Sequence, residues 1–388
     1  MMMEATQVAP RARVHLDFIE GMRACAALMV IVNHTYAQTW LAVDNVFPPP
    51  ALSFLTFSMV TGHLAVSVFI CISGFCLMLP IVRGDGTLRG GAWQFFKRRA
   101  RRILPPYYAA LFLCLALIAT VIGKPTGSLW DVCIAIRPID IASHLLLLQH
   151  FFGTGRINYS FWSISLEWQI YFLFPLFVLA FRRIGALATT GAALAVGYAV
   201  MILLGPHSER IDRSNLHYVG LFTLGMTAAQ AAFGTSGTVS SIRSKVPWTA
   251  VAVALIGVQA AMMLHWGWHT AMHSWLILDV FSAATAGAML IAASQGTGGP
   301  FRRLFALRPL VWIGTASYSL YLIHAPVIQL FWQYVIMPLH LVGVPAFALL
   351  ISVGGALMLL SAKLFYRWFE GPFTTPARAA AAPVRATE

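Results

Sequence analysis

Between Leu16 and Trp40 the chain reads LDFIEGMRACAALMVIVNHTYAQTW, apolar without a break from Ala24 to Val32, with Glu20, Arg23 and His34 inside that stretch or at its ends. A run of this length and apolarity is a membrane-spanning helix, and ionisable groups in such a helix face a bundle interior or a water-filled cavity. At ~100° and ~1.5 Å per residue, the steps from Arg23 to His34 make about three turns plus ~20°. Both side chains therefore share one face, ~16 Å apart along the axis. This pattern predicts a polar cavity running into the membrane beside the first helix. The alternative left open is that Arg23 snorkels to the headgroups and His34 is interfacial.

The rest of the chain is suited to enclosing such a helix. Of its 388 residues 59% are hydrophobic and only 10% charged, which excludes an ordinary soluble globule. The expected fold is all-α, a polytopic membrane helical bundle with about ten transmembrane helices, at about 16 to 40, 61 to 82, 103 to 122, 160 to 181, 185 to 204, 216 to 233, 248 to 266, 272 to 294, 310 to 334 and 342 to 366. A formal charge of +13 would suggest nucleic acid in a soluble protein. Here the cations cluster between apolar spans and report topology, so no nucleic-acid binding is expected. Placing the N-terminus inside puts 20 of the 26 Lys and Arg on the cytoplasmic side. Both termini are then cytoplasmic, in a multi-pass protein of the inner (cytoplasmic) membrane.

The first fifteen residues have no apolar core preceding a cleavage site and are expected to be a short cytoplasmic segment, residues 16–372 the transmembrane domain, and 373–388 a disordered cytoplasmic tail. Pro48 to Pro50 read as a stiff extracytoplasmic turn. The five cysteines show no metal-ligand spacing and read as small apolar residues. His144 and His150, off one helical face, read as interfacial, so no metal is expected. Asp279 is a buried charge whose partner the sequence does not name.

Several constellations carry polar chemistry. In FFKRRARRILPPYY, Phe95 to Tyr108, Arg99 and Arg102 lie one turn apart at a helix start and would grip a polyphosphate, with Lys97, Arg98 and Arg101 broadening the field. The same cluster also serves as a topology signal. In YSFWSISLEWQIYFLFP, Tyr159 to Pro175, Glu167 has Tyr171 one turn along its face; Arg23, Trp162 and Tyr171 are candidate partners for its carboxylate. A structural ion pair locking two helices would explain Glu167 equally well. In FICISGF, Phe69 to Phe75, Ser73 and Gly74 permit close helix approach. Ser317, Tyr321 and His324 form a polar stripe on the ninth span.

Taken in order, these segments resemble the acyltransferase family 3 group of membrane O-acyltransferases. Glu20-Gly21-Met22-Arg23 is similar to that family's DGLRG opening, and Arg23 with His34 to its Arg-x10-His signature. Phe69 to Phe75 resembles FFVLSGF, and Arg99, Arg102, Ile103 and Pro105 resemble RxxRI-x-P. Trp162, Ser163, Glu167, Gln169 and Tyr171 resemble WSL-x-x-E-x-Q-x-Y, while Ser317 to His324 looks like SYSLYLxH and Glu370 with Pro372 like the C-terminal close. Glu20 for Asp, Ile70 for Phe and Ile164 for Leu are departures.

The resemblance implies a bundle of ten helices and a cytoplasmic acyl-CoA donor, most often acetyl-CoA, with no permanently bound cofactor. The acceptor would be a sugar hydroxyl in a surface polysaccharide, lipopolysaccharide or lipid-linked glycan. Arg99 and Arg102, with Arg98, would hold the CoA phosphates. His34 would be the general base, with Arg23 holding the donor or stabilising the oxyanion and Glu167 orienting a catalytic partner. Glu20, Ser73, Trp162, Tyr171, Tyr321 and His324 would support them. Direct transfer and a covalent acyl-histidine or acyl-tyrosine relay both remain open. Some family members carry a fused soluble esterase-like domain; none follows in this sequence, so direct acceptor modification is expected, with a homo-oligomer or a separate periplasmic partner left open. The competing expectations are a transporter or flippase using the intramembrane Arg, Glu and His groups, and a non-catalytic scaffold.

Overall fold

The computed structural model describes residues 16–41, 50–152, 155–295 and 299–374. The N-terminal segment 1–15, the Pro48 and Pro49 part of the proposed turn, and residues 375–388 of the tail lie outside the described residues. The principal helices are α1 (Asp17–Tyr36), α2 (Ser58–Val82), α3 (Gly91–Thr120), α4 (Trp162–Arg183), α5 (Ala186–Leu203), α6 (His217–Phe233), α7 (Trp248–His273), α8 (Trp275–Ser294), α9 (Ser317–Phe331) and α10 (Gly343–Phe373). Among the described residues there is no strand. This is an all-α, multi-pass membrane protein.

Among the described residues eight helices are long and apolar enough to cross a membrane. The two expected spans outside that group have plain reasons: α1 carries Asp17, Glu20 and Arg23, and α6 is 17 residues long. Burial separates central from peripheral helices. The most apolar window of Ser317–Ile336 is 72% buried, whereas that of α7 is 11% buried and presents its apolar side chains outward, as a lipid-facing helix does.

The polar first helix is wrapped by α2, by α9 and by the short helices Pro300–Phe305 and Arg308–Gly314. Glycines permit the close approach. A Cβ at Gly21 would overlap the carbonyl of Phe305, and one at Gly314 that of Glu20. On the far side of α2, Gly74 and Gly225 let α2 and α6 touch backbone to backbone, against Phe222 and Cys71 respectively. The close-approach role expected for Ser73-Gly74 therefore falls to the glycine, which frees the serine hydroxyl for other bonds.

The connection between α3 and α4 corrects one expectation. His144 and His150 are buried within the protein, not interfacial. His144 Nδ1 lies 2.7 Å from the Asp140 carbonyl oxygen and His150 Nδ1 lies 2.7 Å from Ser165 Oγ. The short helix Pro138–Leu145 turns its polar side inward, while Ile141, Leu145 and Leu146 are exposed. Among the described residues no His, Cys, Asp and Glu group could hold a metal ion.

Gly225→Ala should force α2 and α6 apart and lower stability by about 1–3 kcal/mol. Gly257→Ala, on open surface of α7, should leave the melting temperature unchanged or slightly raised. Thermal unfolding of the two purified variants side by side checks this.

Candidate active site

Helices α1, α2, α3, α4, α9 and the end of α10 surround a cavity of about 640 Å³. Arg98, Arg99, Arg101 and Arg102 of α3 line it, with Arg98 and Arg101 exposed and Arg99 and Arg102 half-buried. Further in, Arg23 donates to Glu20 Oε1 at 3.0 Å and approaches Cys76 Sγ at 3.6 Å. Tyr171 bridges two helices here: its hydroxyl donates to Glu167 Oε1 at 2.5 Å and lies 2.9 Å from Ser73 Oγ. The partner of the Glu167 carboxylate is thus Tyr171, and Arg23 pairs with Glu20. Glu370 accepts from the Ser319 backbone N–H at 3.1 Å and hydroxyl at 2.6 Å, pinning the end of α10 to the start of α9. The lining carries five guanidinium groups against the carboxylates of Glu20, Glu167 and Glu370, so the cavity is positive towards an incoming anion.

The inner wall of the cavity includes Phe69, Ser163 and Tyr321. The Tyr321 hydroxyl lies 2.6 Å from Ser163 Oγ, and its ring stands edge-on to Phe69. His34 and His324 are not in the cavity lining. They meet beyond Tyr321, with His34 Nδ1 2.7 Å from His324 Nε2 and the rings parallel within 1°.

The hydrogen bonds around this pair fix its tautomers. His324 Nδ1 lies 2.8 Å from the Tyr321 carbonyl oxygen, which can only accept, so Nδ1 carries the proton and Nε2 is an acceptor. His34 Nδ1–H must then donate to His324 Nε2. That leaves the lone pair of His34 on Nε2, which has no hydrogen-bond partner among the described residues on a half-buried ring. The open ring nitrogen of the pair is therefore His34 Nε2, and His324 holds the His34 ring in its orientation. The Tyr159 ring closes over His34 edge-on at 4.8 Å.

A further cluster supplies the partner of Asp279. His63, Ser67 and His217 all donate to its carboxylate, from α2 and α6. Trp162 belongs to this cluster and not to the cavity, its ring 6.2 Å from that of His63. The structure thus brings together Glu20, Arg23, Ser73, Arg98, Arg99, Arg102, Glu167, Tyr171 and Tyr321, sets His34 with His324 behind them, and places Trp162 apart. Sequence reasoning missed His63 and His217. Each is an isolated histidine in an apolar helix, and only Asp279 signalled that partners must exist.

Fold and site together define a polytopic membrane protein with an arginine-rimmed inner chamber that ends beneath a histidine pair. The chain belongs to the acyltransferase domain family, whose model matches residues 16–366. It is similar to the O-acetyltransferase OatA of Staphylococcus aureus, 26% identical over 380 residues that cover 92% of this chain and 57% of that protein. It is also similar to the peptidoglycan O-acetyltransferase OatA of Listeria monocytogenes, 23% identical over 345 residues covering 82% of this chain and 50% of that protein. The chain therefore spans about half the length of these relatives. No solved structure matches it.

Cys76 lies against Arg23 in the cavity, whereas Cys71, Cys114 and Cys133 are buried. A water-soluble anionic methanethiosulfonate, applied from the side that carries Arg83 to Arg102, should modify Cys76 and spare those three. Mass mapping in oriented vesicles reads the result, and modification of the buried thiols first would contradict the cavity described.

Proposed function

We propose that this chain is a membrane O-acetyltransferase that carries an acetyl group from cytoplasmic acetyl-CoA to a sugar hydroxyl of a cell-envelope glycan. The observation that supports this best is the shared wall: Tyr321 lines the arginine-rimmed cavity and its carbonyl fixes the tautomer of the His34–His324 pair. The Listeria monocytogenes relative is a peptidoglycan O-acetyltransferase, which favours a peptidoglycan acceptor. In this reading the protein lies in the cytoplasmic membrane, with ten crossings and both termini inside.

Arg99 and Arg102, with Arg98 and Arg101, hold the CoA phosphates, because planar guanidiniums bind phosphate bidentately. Arg23, fixed by Glu20, holds the donor further in, and the pantetheine arm extends past it towards Tyr321. On the far side His34 Nε2 removes the proton from the acceptor hydroxyl as its oxygen attacks the thioester carbonyl. When the C–S bond breaks, the CoA thiolate leaves and recovers that proton as a thiol, so His34 ends neutral. His324 Nε2, accepting from His34 Nδ1–H, stabilises the imidazolium formed between these steps. Ser73, Tyr171 and Glu167 act as one hydrogen-bonded unit that fixes the cavity wall across α2 and α4.

The test is transfer of labelled acetyl from acetyl-CoA to extractable glycan in membranes that express the protein. His34→Ala should cut transfer by about 10²- to 10⁴-fold while acetyl-CoA binding persists. His324→Leu should lower kcat with the acetyl-CoA KM unchanged. The double change Arg99→Gln, Arg102→Gln should instead raise the acetyl-CoA KM. Transfer undiminished in His34→Ala would remove His34 from this mechanism, whereas folded protein that neither binds acyl-CoA nor labels an acceptor would bring the transporter reading forward.

A further inference from the structure

Asp279 is fully buried on α8, and the donors around it differ in what they leave over. His217 Nε2 at 3.0 Å is as buried as the carboxylate itself. His63 Nε2 lies 3.2 Å from the same oxygen and 3.3 Å from the Tyr218 hydroxyl, so one Nε2 proton serves the carboxylate with the Tyr218 oxygen beside it, and the His63 side chain is 31% exposed. With its Nε2 proton committed to Asp279, His63 presents a lone pair on Nδ1, which has no hydrogen-bond partner among the described residues. An ion pair that served only to tie α8 to α6 would be complete with His217. The second histidine adds an open acceptor held in one orientation by a buried carboxylate.

The surroundings of that acceptor are aromatic. Trp162 lies nearly parallel to the His63 ring at 6.2 Å, Trp275 stands edge-on at 5.6 Å and Tyr218 at 6.4 Å. These rings come from α4, α8 and α6, so the exposed part of His63 opens among helices. The place is close to the histidine pair without sharing the arginine cavity. Gly62, next to His63, packs against Asn33, next to His34. Trp162 precedes Ser163, which bonds Tyr321. Aromatic walls with a few fixed polar groups are the usual build of a site for an organic ring, and a sugar offers an apolar C–H face together with hydroxyl donors.

We propose that His63 is an acceptor-binding residue, its Nδ1 accepting a hydrogen bond from a hydroxyl of a sugar ring that packs on Trp162 and Trp275, with Asp279 as its positioning residue. This rests on the acyltransferase reading and extends it to the acceptor. The substrate class it names is a polyhydroxylated ring that enters beside α2, α4, α6 and α8, separately from the donor.

The experiment uses the purified full chain in lipid nanodiscs, with acetyl-CoA and a soluble β-linked N-acetylhexosamine tetrasaccharide as probe. His63→Leu and Trp275→Leu should each raise the tetrasaccharide KM tenfold or more with the acetyl-CoA KM unchanged, and His63→Gln, which keeps an acceptor atom, should recover part of the loss. If His63→Leu does not yield folded protein, Trp275→Leu decides by the same criterion. Unaltered protein that binds no acetyl-CoA sinks the acyltransferase reading and this inference together. Tetrasaccharide transfer whose acceptor KM is moved by neither variant, or moved only in step with the acetyl-CoA KM and a falling melting temperature, overturns this inference alone.

Discussion

A guanidinium at membrane depth costs ~2.5–3.5 kcal/mol even on the mildest insertion scales, and the arrangement of this bundle follows from relieving that cost at Arg23. Glu20 supplies the counter-charge one turn away, at 3.0 Å, and a polar chamber supplies the solvation. A helix bearing such a pair cannot sit at the lipid boundary. It is enclosed by α2, α9 and two short helices, and glycines at 21 and 314 are what allow the enclosure to be tight. Helix α7, which carries no Asp, Glu, Lys or Arg, is left for the periphery.

The same economy keeps the two kinds of polar group apart. The arginines of α3 and the carboxylates of the chamber lie on one side of the Phe69, Ser163 and Tyr321 wall, and the histidines lie beyond it. A base next to five guanidiniums would hold its proton poorly and sit in an anion-trapping field. Behind the wall its partners are neutral: a second imidazole and a backbone carbonyl. On the proposed mechanism, donor and base meet only through the residues of that wall.

Much of this is readable from residue order because the underlying signals are local. Apolar length locates the spans, the shared face of Arg23 and His34 implies a cavity, and the spacing of Arg99 and Arg102 and of Glu167 and Tyr171 sets each pair on one helix face. Pairings between distant helices are another matter. His34 and His324 are 290 residues apart, and although the stripe Ser317, Tyr321 and His324 marks a polar face on α9, nothing local says which helix it meets. Asp279 announces a missing partner without naming it, since His63 and His217 are indistinguishable in sequence from histidines at a headgroup boundary. His144 and His150 were misplaced for the same reason: spacing reports which face a residue occupies, and burial depends on what packs there.

The thin wall at Tyr321 has an electrical consequence. A chamber filled with water and ions would carry the potential of its own compartment into the protein, so the membrane voltage would fall across the residues beyond Tyr321. Each elementary charge moved through that layer exchanges ~2.3 kcal/mol with a 100 mV potential. In the proposed reaction a neutral thioester arm would cross at no electrical cost, whereas the phosphates behind it would be held back. Under that proposal the layer is a dielectric as well as a wall, and it would separate the parts of the donor by charge.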